Sequence, residues 1–258
     1  VTGVQTCALP IWLLNLPGLA EYARYMHSTP DEAQQLVRDT FISVTAFFRD
    51  ADAYGALERS IDALVRDARS GVLRCWVPGC ATGEEVYSIA MLFEEALRVR
   101  QRTDLQYLIF ASDLDSAALE TARSATYPAQ ALEALPAALR ERYVEEQGGV
   151  GRVVKRIRNR LVFARQNVVD DPPFSRLDLI SCRNLLIYLK SPVQRRVFEI
   201  FHYALRPGGQ LFLGRSESAD ARTDLFTPID TRARLYSRRE GVAHYPRSEE
   251  HTSELQSH

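Results

Sequence analysis

The stretch CWVPGCATGEEVYSIAML, Cys75–Leu92, decides the fold that the sequence predicts. It opens with apolar, strand-like residues, passes a turn bracketed by Gly79 and Gly83, and continues with apolar residues at helical spacing. Such turns often bind phosphate, because free N–H groups and the positive end of the helix dipole face the ligand. Here Glu84 and Glu85 occupy the first helical turn, where their negative charge would repel a phosphate. The turn therefore suits a ligand without phosphate that carries a positive end.

Two interpretations of this turn remain open. The glutamates are either ordinary partners of the helix dipole, contributing about 0.3–1 kcal/mol each, or they line a ligand site. S-adenosylmethionine fits such a site, since it carries an ammonium and a sulfonium at one end and ribose and adenine at the other. The next strand, in LIFASDLD, favours the ligand site because it ends in Asp113, where an acid can accept both ribose hydroxyls. Either acid of this strand end could instead cap the following helix, and we expect Asp113 on ribose and Asp115 at the cap.

Short apolar runs bounded by turn residues recur after this stretch, as expected for strands that are buried on both faces. Helical segments alternate with them, which predicts an α/β fold with a mostly parallel, doubly wound sheet. LFTPID and RARLYSRR are predicted to form an antiparallel hairpin on its edge. Residues 16–70 are predicted to be helical, with one helix opening at Thr29. The other predicted segments are the strands VLRCWVP, QYLIFAS, LVFARQN, RLDLISC and GQLFLGR, and the helices Glu84–Arg100, Ser116–Arg123 and Pro192–Leu205.

The composition is that of an ordinary globular protein, with 258 residues, 46% apolar residues and a net charge of −1. No whole-molecule field draws such a chain to nucleic acid or to a membrane. The four cysteines, Cys7, Cys75, Cys80 and Cys182, have no metal-ligand spacing, which indicates reduced thiols and no metal site. The apolar stretch Cys7–Leu19 is too short to span a bilayer. We therefore expect a cytoplasmic protein.

The chain is predicted to contain two domains between two foreign tails. Residues 1–12 and 247–258 resemble translated sequencing-adapter read-through, so we expect the natural protein to extend at both ends. A truncated N-terminal helical domain is predicted at 13–60, and the main domain at 61–240. A small β-subdomain is expected as an insertion at 136–165, where strand–helix alternation is interrupted.

An ordered set of motifs resembles the chemotaxis receptor methyltransferase family (CheR-type). The motifs are VTAFFRD, PGCATGEEVYSIAM, FASDLD, QNVVDDPPF, DLISCRNLLIYL, LRPGGQLFLGRSES and a closing LF…RLY. The resemblance implies a class I S-adenosylmethionine-dependent methyltransferase fold, with S-adenosylhomocysteine as the product. It implies glutamate side chains on the cytoplasmic helices of chemoreceptors as substrates. The sequences of these motifs are most similar to those of family members that are fused to methylesterase and kinase parts in larger sensor proteins.

The resemblance also implies site residues. Arg49 and Tyr188 match residues that flank the methyl group and the incoming carboxylate, although spacing alone would favour an ion pair for Arg49 and aromatic packing for Tyr188. A substrate glutamate with a pKa near 4.3 is already ionised at neutral pH, so no general base is needed. Gly79 joins the set because a glycine lets the backbone approach a ligand. The expected cofactor-binding residues are Ser43, Thr45, Arg49, Gly79, Glu85, Asp113, Asn167, Val168, Arg183 and Asn184.

Three further features have competing interpretations. DPPF, Asp171–Phe174, resembles the motif that holds a flipped base in amino-methyltransferases, but it precedes the fourth strand, so we reject nucleic acid as a substrate. His202 lies in a core-like segment and is predicted to be structural. The basic run is either a solvated face or a dock for acidic receptor helices; it comprises Arg152, Lys155, Arg156, Arg158, Arg160 and Arg165. The alternative to an enzyme is a regulatory module that binds the cofactor without turnover inside a hybrid sensor protein.

Overall fold

The computed structural model describes residues 11–29, 32 and 45–241. The chain divides after Val44 into two units. In the first unit, helix α1 spans Leu19–Ser28. Its amphipathic sequence, LAEYARYMHS, agrees with the helical segment predicted there.

A long-range hydrogen bond within the first unit joins α1 to the chain beyond it. The Tyr22 hydroxyl donates to Glu32 Oε1 at 2.8 Å. Most of the helix predicted to open at Thr29 lies outside the described residues, and so does Ser43. The predictions for those residues therefore stay predictions.

In the described residues, ten strands form two sheets. They are β1 Gly71–Pro78, β2 Leu105–Asp113, β3 Thr126–Pro128, β4 Val144–Gln147, β5 Val150–Val153, β6 Leu161–Arg165, β7 Leu177–Cys182, β8 Leu205–Leu213, β9 Phe226–Asp230 and β10 Leu235–Arg238. The main sheet has the order β6–β2–β1–β7–β8–β10–β9. The strands β6, β2, β1, β7 and β8 pair with one another in parallel, in that order. Strand β10 is antiparallel to both of its neighbours. This confirms the mostly parallel sheet and the hairpin at its edge.

The helices of the second unit connect these strands. They are α2 Ala51–Asp67, α3 Glu84–Val99, α4 Ser116–Ser124, α5 Ala129–Leu132, α6 Ala137–Tyr143, α7 Lys155–Arg158, α8 Ser191–Ala204 and a short 3-10 helix, Leu186–Tyr188. The three helices predicted between strands are present; α3 and α4 differ from the predicted bounds by one residue at the C-terminal end, and α8 by one residue at each end. The apolar face of α2 is buried, and it comprises Tyr54, Leu57, Ile61, Leu64 and Val65.

Strand β1 shows why these strands have nearly continuous apolar sequences. Cys75 and Val77 point into a core cluster that contains residues of α2 and α3. Trp76 points to the opposite face of the sheet, where its ring meets Phe201 of α8 edge to face at 5.6 Å. Both faces are thus covered by helices, and fully burying such a side chain contributes about 1.5–3 kcal/mol.

The second sheet forms a small β-subdomain of antiparallel strands in the order β3–β5–β4. Gly148 and Gly149, both with positive φ, form the two-residue turn between β4 and β5. The subdomain differs from the insertion predicted at 136–165 at both ends. It begins with β3, and the predicted last segment, β6, pairs with β2 in the main sheet. The strand itself was predicted as LVFARQN, but its pairing with β2 was not.

The observed division of the chain also differs from the predicted boundary between 60 and 61. That boundary falls inside α2, which is one continuous helix. Its buried face belongs to the core of the second unit. The two units instead separate between Val44 and Thr45, because the packing of α2 against α3 makes it part of the larger unit.

Candidate active site

The glycine turn lies at the carboxyl end of β1, in the middle of the main sheet. In doubly wound sheets this is the edge at which ligands bind. Gly79 has φ +67°, and a Cβ there would lie 3.2 Å from Leu185 Cδ2. Gly83 has φ +94°, and a Cβ there would lie 2.9 Å from Ala122 Cβ. The turn is therefore held tightly between the chain after β7 and helix α4.

The two adjacent glutamates at the start of α3 have different environments. Glu84 is 8% exposed, and its Oε2 accepts a hydrogen bond from Thr82 Oγ1 at 2.7 Å. Glu85 Oε1 accepts one from Ser181 Oγ, near the end of β7, at 2.6 Å. Only Glu85 is therefore joined to the neighbouring strand end of the main sheet.

Arg183, directly after β7, is the centre of a buried ionic network. Its Nη2 donates to Asp50 Oδ2 at 2.7 Å, and its Nη1 lies 3.5 Å from Glu85 Oε2. The side chain has no exposed area, and its Cζ lies 5.4 Å from the ring centre of Tyr54 and 4.9 Å from that of Phe212. The guanidinium thus joins the segment before α2 to the start of α3. The cofactor contact predicted for Arg183 stays a prediction.

The charges around Glu85 act on its pKa in opposite directions. Burial raises the pKa of Glu85 most strongly, while Arg183 and the hydrogen bond from Ser181 lower it. Glu217 raises this pKa and Arg49 lowers it, so the charge of Arg49 also acts on this carboxylate. A cation beside Glu85 would stabilise its ionised form, whereas a phosphate would oppose it.

The two acids at the end of β2 have different hydrogen-bond partners, and one of their two predicted roles is confirmed. Asp115 Oδ1 accepts hydrogen bonds from Ala117 N at 2.9 Å and Ala118 N at 3.3 Å, which confirms that it caps α4. Asp113 Oδ2 accepts from Ala81 N at 2.8 Å, and its Oδ1 accepts from Asp115 N at 2.9 Å. Asp113 therefore fastens the glycine turn to β2. A carboxylate has about four acceptor sites, so this arrangement leaves capacity for ribose hydroxyls.

The VTAFFRD segment is fixed against α3 and the small β-subdomain. The ring of Phe47 packs edge to face on Tyr127 at 4.9 Å, and Phe48 N donates to Ser88 Oγ at 3.0 Å. Phe48 and Asp50 have left-handed φ values of 49° and 63°, a strain of order 1–3 kcal/mol each that persists only where the surroundings impose it. Arg49, between them, is held by this constrained backbone.

The QNV turn after β6 uses the side chain of Asn167 to build its own structure. Asn167 Nδ2 donates to Asp170 Oδ2 at 2.7 Å, and its Oδ1 accepts from Val169 N at 3.0 Å. Its backbone N donates to Asp171 Oδ2 at 2.7 Å. Val168 packs, partly buried, against the second core cluster. An adenine contact by the Asn167 amide would have to share or replace one of these bonds.

The chain after β7 carries the remaining predicted residues and depends on one residue that was not predicted. Asn184 has a left-handed φ of 59°, and Tyr188 is 55% exposed. Glu217, which is buried, accepts hydrogen bonds from the backbone N atoms of Asn184, Leu186 and Gly214. No role was predicted for Glu217 or Ser181, and Asp50 was considered only as an ion-pair partner of Arg49. In the sequence, each of them is an acid or a hydroxyl residue beside a strand end or a helix start. That position does not identify the residue that it contacts.

The other features singled out in the sequence take structural positions. The Phe174 ring of DPPF stacks on Phe110 at 4.4 Å and meets Trp76 edge to face at 5.6 Å. His202 is buried, and its Nε2 lies 3.0 Å from the carbonyl O of Arg239. The three described cysteines are buried free thiols.

The basic run is partly tied down by local contacts. Arg156 lies over the ring of Tyr143, with Cζ 5.0 Å from its centre. Arg160 Nη1 donates to Gln106 Oε1 at 2.7 Å. The run is therefore more than a freely solvated face, and its docking role stays a proposal.

The strand order and the acidic turn define a class I S-adenosylmethionine-dependent methyltransferase. Within that class, the chain belongs to the CheR family: the family model "CheR methyltransferase, SAM binding domain" matches residues 43–235. The fold, the cofactor and the family expected from the sequence motifs are thereby confirmed.

Three relatives show the extent of the similarity. The chain is 36% identical to chemotaxis protein methyltransferase 2 of Pseudomonas aeruginosa, over 80% of this chain and 74% of that protein. It is 32% identical to the chemotaxis protein methyltransferase of Escherichia coli, over 78% and 71%. It is 40% identical to the "Uncharacterized 104.1 kDa protein in hypE 3'region" of Rhodobacter capsulatus, over 86% of this chain but only 23% of that protein.

Among the described helices, none is both long and apolar enough to cross a membrane.

Proposed function

We propose that this chain transfers a methyl group from S-adenosylmethionine to glutamate side chains of chemoreceptors, forming protein methyl esters. The observation that carries the proposal is the partly buried Glu85, 14% exposed and held by Ser181 and Arg183 at the ends of the central strands. Two relatives named as chemotaxis protein methyltransferases, each aligned over more than two thirds of its own length, support the choice of substrate.

The residues at the strand ends fit the cofactor in chemical type. Glu85 suits the cationic amino-acid end, and the unused acceptor capacity of Asp113 suits ribose hydroxyls. The turn with Asn167 and Val168 would border the adenine, while Thr45 and Arg49 contribute from the segment before α2. When bound, the cofactor supplies an electrophilic methyl group and leaves as the neutral thioether S-adenosylhomocysteine.

The protein's own contribution to catalysis is then positioning and exclusion of water. The incoming glutamate is ionised at neutral pH, so its oxygen needs no base. Arg49 would bind that carboxylate or the carboxylate of the cofactor through a charge-assisted pair. Tyr188, exposed on the 3-10 helix, would border the incoming side chain. Holding two reactants in a productive geometry supplies up to about 7–11 kcal/mol of the barrier reduction.

The substrate side of the proposal concerns receptor helices and neighbouring domains. Acidic receptor helices would meet the basic run around Arg152 and Lys155, with an affinity that falls as salt rises. The Rhodobacter capsulatus relative, of which the chain spans 23%, supports a place in a larger protein. We propose fused methylesterase or kinase domains for that setting, as the sequence motifs imply.

The test is methyl transfer from labelled S-adenosylmethionine to the cytoplasmic fragment of a chemoreceptor. We expect label on the fragment that is released as methanol in base, because methyl esters hydrolyse there. A matched fragment whose methyl-accepting glutamates are replaced by alanine should take up none. Label that survives base would contradict ester formation. Cofactor binding without any transfer would support the regulatory module instead.

A further inference from the structure

Glu217, four residues after β8, is a buried carboxylate whose backbone contacts in the site have been given no function so far. It is 4% exposed. Its Oε2 accepts hydrogen bonds from Asn184 N at 2.9 Å and Gly214 N at 2.8 Å. Its Oε1 accepts one from Leu186 N at 2.7 Å. The Glu217 side chain therefore accepts hydrogen bonds from three backbone N–H groups, which belong to the loop after β7 and the loop after β8.

These contacts join the loop after β7 to the loop after β8. An ionised carboxylate forms stronger hydrogen bonds with N–H groups than a neutral acceptor does. The two donors after β7, Asn184 N and Leu186 N, bracket Leu185, whose side chain packs against the glycine turn at Gly79. Glu217 thus fixes a segment that already touches the turn of β1.

The fixed segment is also the one that presents Tyr188. Asn184 has φ +59°, a left-handed conformation that asparagine tolerates better than other non-glycine residues. The 3-10 helix follows at once, and its first N–H, that of Leu186, is bound by Glu217. A change in the position of Glu217 would therefore move the backbone that leads to Tyr188.

Gly214 shows that the two loops approach each other as closely as the backbone allows. A Cβ at this position would lie 2.7 Å from Glu217 Oε2 and 2.9 Å from Asn184 N. Both distances are shorter than real Cβ contacts. We call the three hydrogen bonds of the Glu217 carboxylate the clamp. The clamp requires a glycine at 214, because an alanine there would push the carboxylate away from its donors.

We propose that Glu217 is a positioning residue for methyl transfer. Its carboxylate holds the loop with Asn184 and Tyr188 in the geometry that the reaction needs, and it touches neither reactant. The inference rests on the proposed function for its kinetic part. The clamp itself is measurable without any receptor.

The first test is Glu217→Gln, which keeps the shape but replaces one acceptor oxygen with an NH₂ group. We expect faster hydrogen exchange at the amides of residues 184–189, with exchange in β1 and β2 unchanged. With a chemoreceptor fragment as substrate, kcat should fall about 10- to 100-fold, the effect of a misplaced reacting group. The dissociation constant for S-adenosylhomocysteine should change little. Glu199→Gln, on the exposed side of α8, is the matched control.

Gly214→Ala tests the same clamp with the carboxylate intact, and Gly241→Ala, where a Cβ meets nothing within 4 Å, is its control. We expect Gly214→Ala to reproduce both the local exchange and the loss of kcat. Unchanged exchange at 184–189 in both variants would overturn the clamp. Faster exchange with unchanged kcat would overturn the positioning role. A wild-type chain that binds cofactor but methylates no receptor would count against the proposed function and leave the exchange result standing.

Discussion

The side chain of Arg183 is charged but has no exposed area. Its charge is balanced by the carboxylates of Glu85 and Asp50. Removing one member of a buried pair leaves the others uncompensated, which is far more costly than never burying the pair. The family resemblance implied cofactor contact for this residue. In the structure the guanidinium joins the segment before α2 to the start of α3, and its contact with the cofactor stays a prediction.

Replacing this guanidinium gives the first prediction. Arg183→Met should lower the free energy of unfolding by about 3–5 kcal/mol, because the Glu85 carboxylate, only 14% exposed, is left without its cation. The measurement is denaturant unfolding followed by circular dichroism. Arg66→Met, an exposed arginine paired with Asp67, is the control and should change stability little. If the two variants were equally stable, the network would not be what holds these segments.

Tyr188 gives a prediction about chemistry rather than stability. Its side chain is 55% exposed, so Tyr188→Phe should leave folding and cofactor affinity unchanged. Losing one hydrogen bond in the transition state should slow methyl transfer about tenfold. Single-turnover transfer to a receptor fragment measures this. An unchanged rate would support plain packing, the interpretation that spacing alone favours.

At the scale of elements, the fit between the glycine turn and α4 allows a paired test. Gly83→Ala should destabilise the protein by about 2–3 kcal/mol, because its Cβ would collide with Ala122 and Tyr127 at a left-handed φ. Gly55→Ala, inside α2 with its nearest neighbour at 3.8 Å, should stabilise it by about 0.5–1 kcal/mol. Thermal unfolding of both variants gives the comparison. Two changes of the same sign would contradict the tight fit at Gly83.

The contact between α3 and α6 predicts a pH dependence. Burial opposes ionisation of Glu95, but hydrogen bonds from Arg98, Tyr143 and Arg142 outweigh it and lower the pKa of Glu95 to about 2. A lowered pKa gives stability that is present above the ordinary value of about 4.5 and is lost as pH falls towards the folded value. The carboxylate is 18% exposed, so solvent screens part of the effect.

The variant Glu95→Gln tests this dependence. At about pH 7 it should be less stable than the wild type by about 1–2 kcal/mol, and the difference should shrink as pH falls below about 4.5. Denaturant unfolding across that pH range measures it. A difference that stays constant or grows with acid would show that the carboxylate charge does not hold α6 to α3.

For the whole molecule, sequence patterns predicted those features that depend on residues close together in the chain. The alternation of apolar strands with helices predicted the parallel sheet, and Asp115 was predicted as a cap because a cap bonds to residues two and three positions on. The candidate residues near the ends of β1, β2 and β7 followed from the rule that ligands bind at that edge. Their roles toward the ligand stay predictions.

What the sequence did not reveal depends on contacts between distant residues. Glu85 meets Ser181 across 96 positions, and Glu217 meets Asn184 across 33. No local pattern names such partners, so the enclosure of Arg183 and the clamp at Glu217 were missed. The limits of the β-subdomain failed for the same reason, since only pairing with β2 assigns β6 to the main sheet.

The most direct measurement is calorimetric titration of the chain with S-adenosylhomocysteine and, separately, with a nicotinamide dinucleotide. An acidic turn with Glu85 at the helix start should favour the ligand without phosphate. We predict saturable heat with S-adenosylhomocysteine and none with the dinucleotide. Saturable heat with the dinucleotide alone would contradict the assignment of this strand-end site to a sulfonium donor.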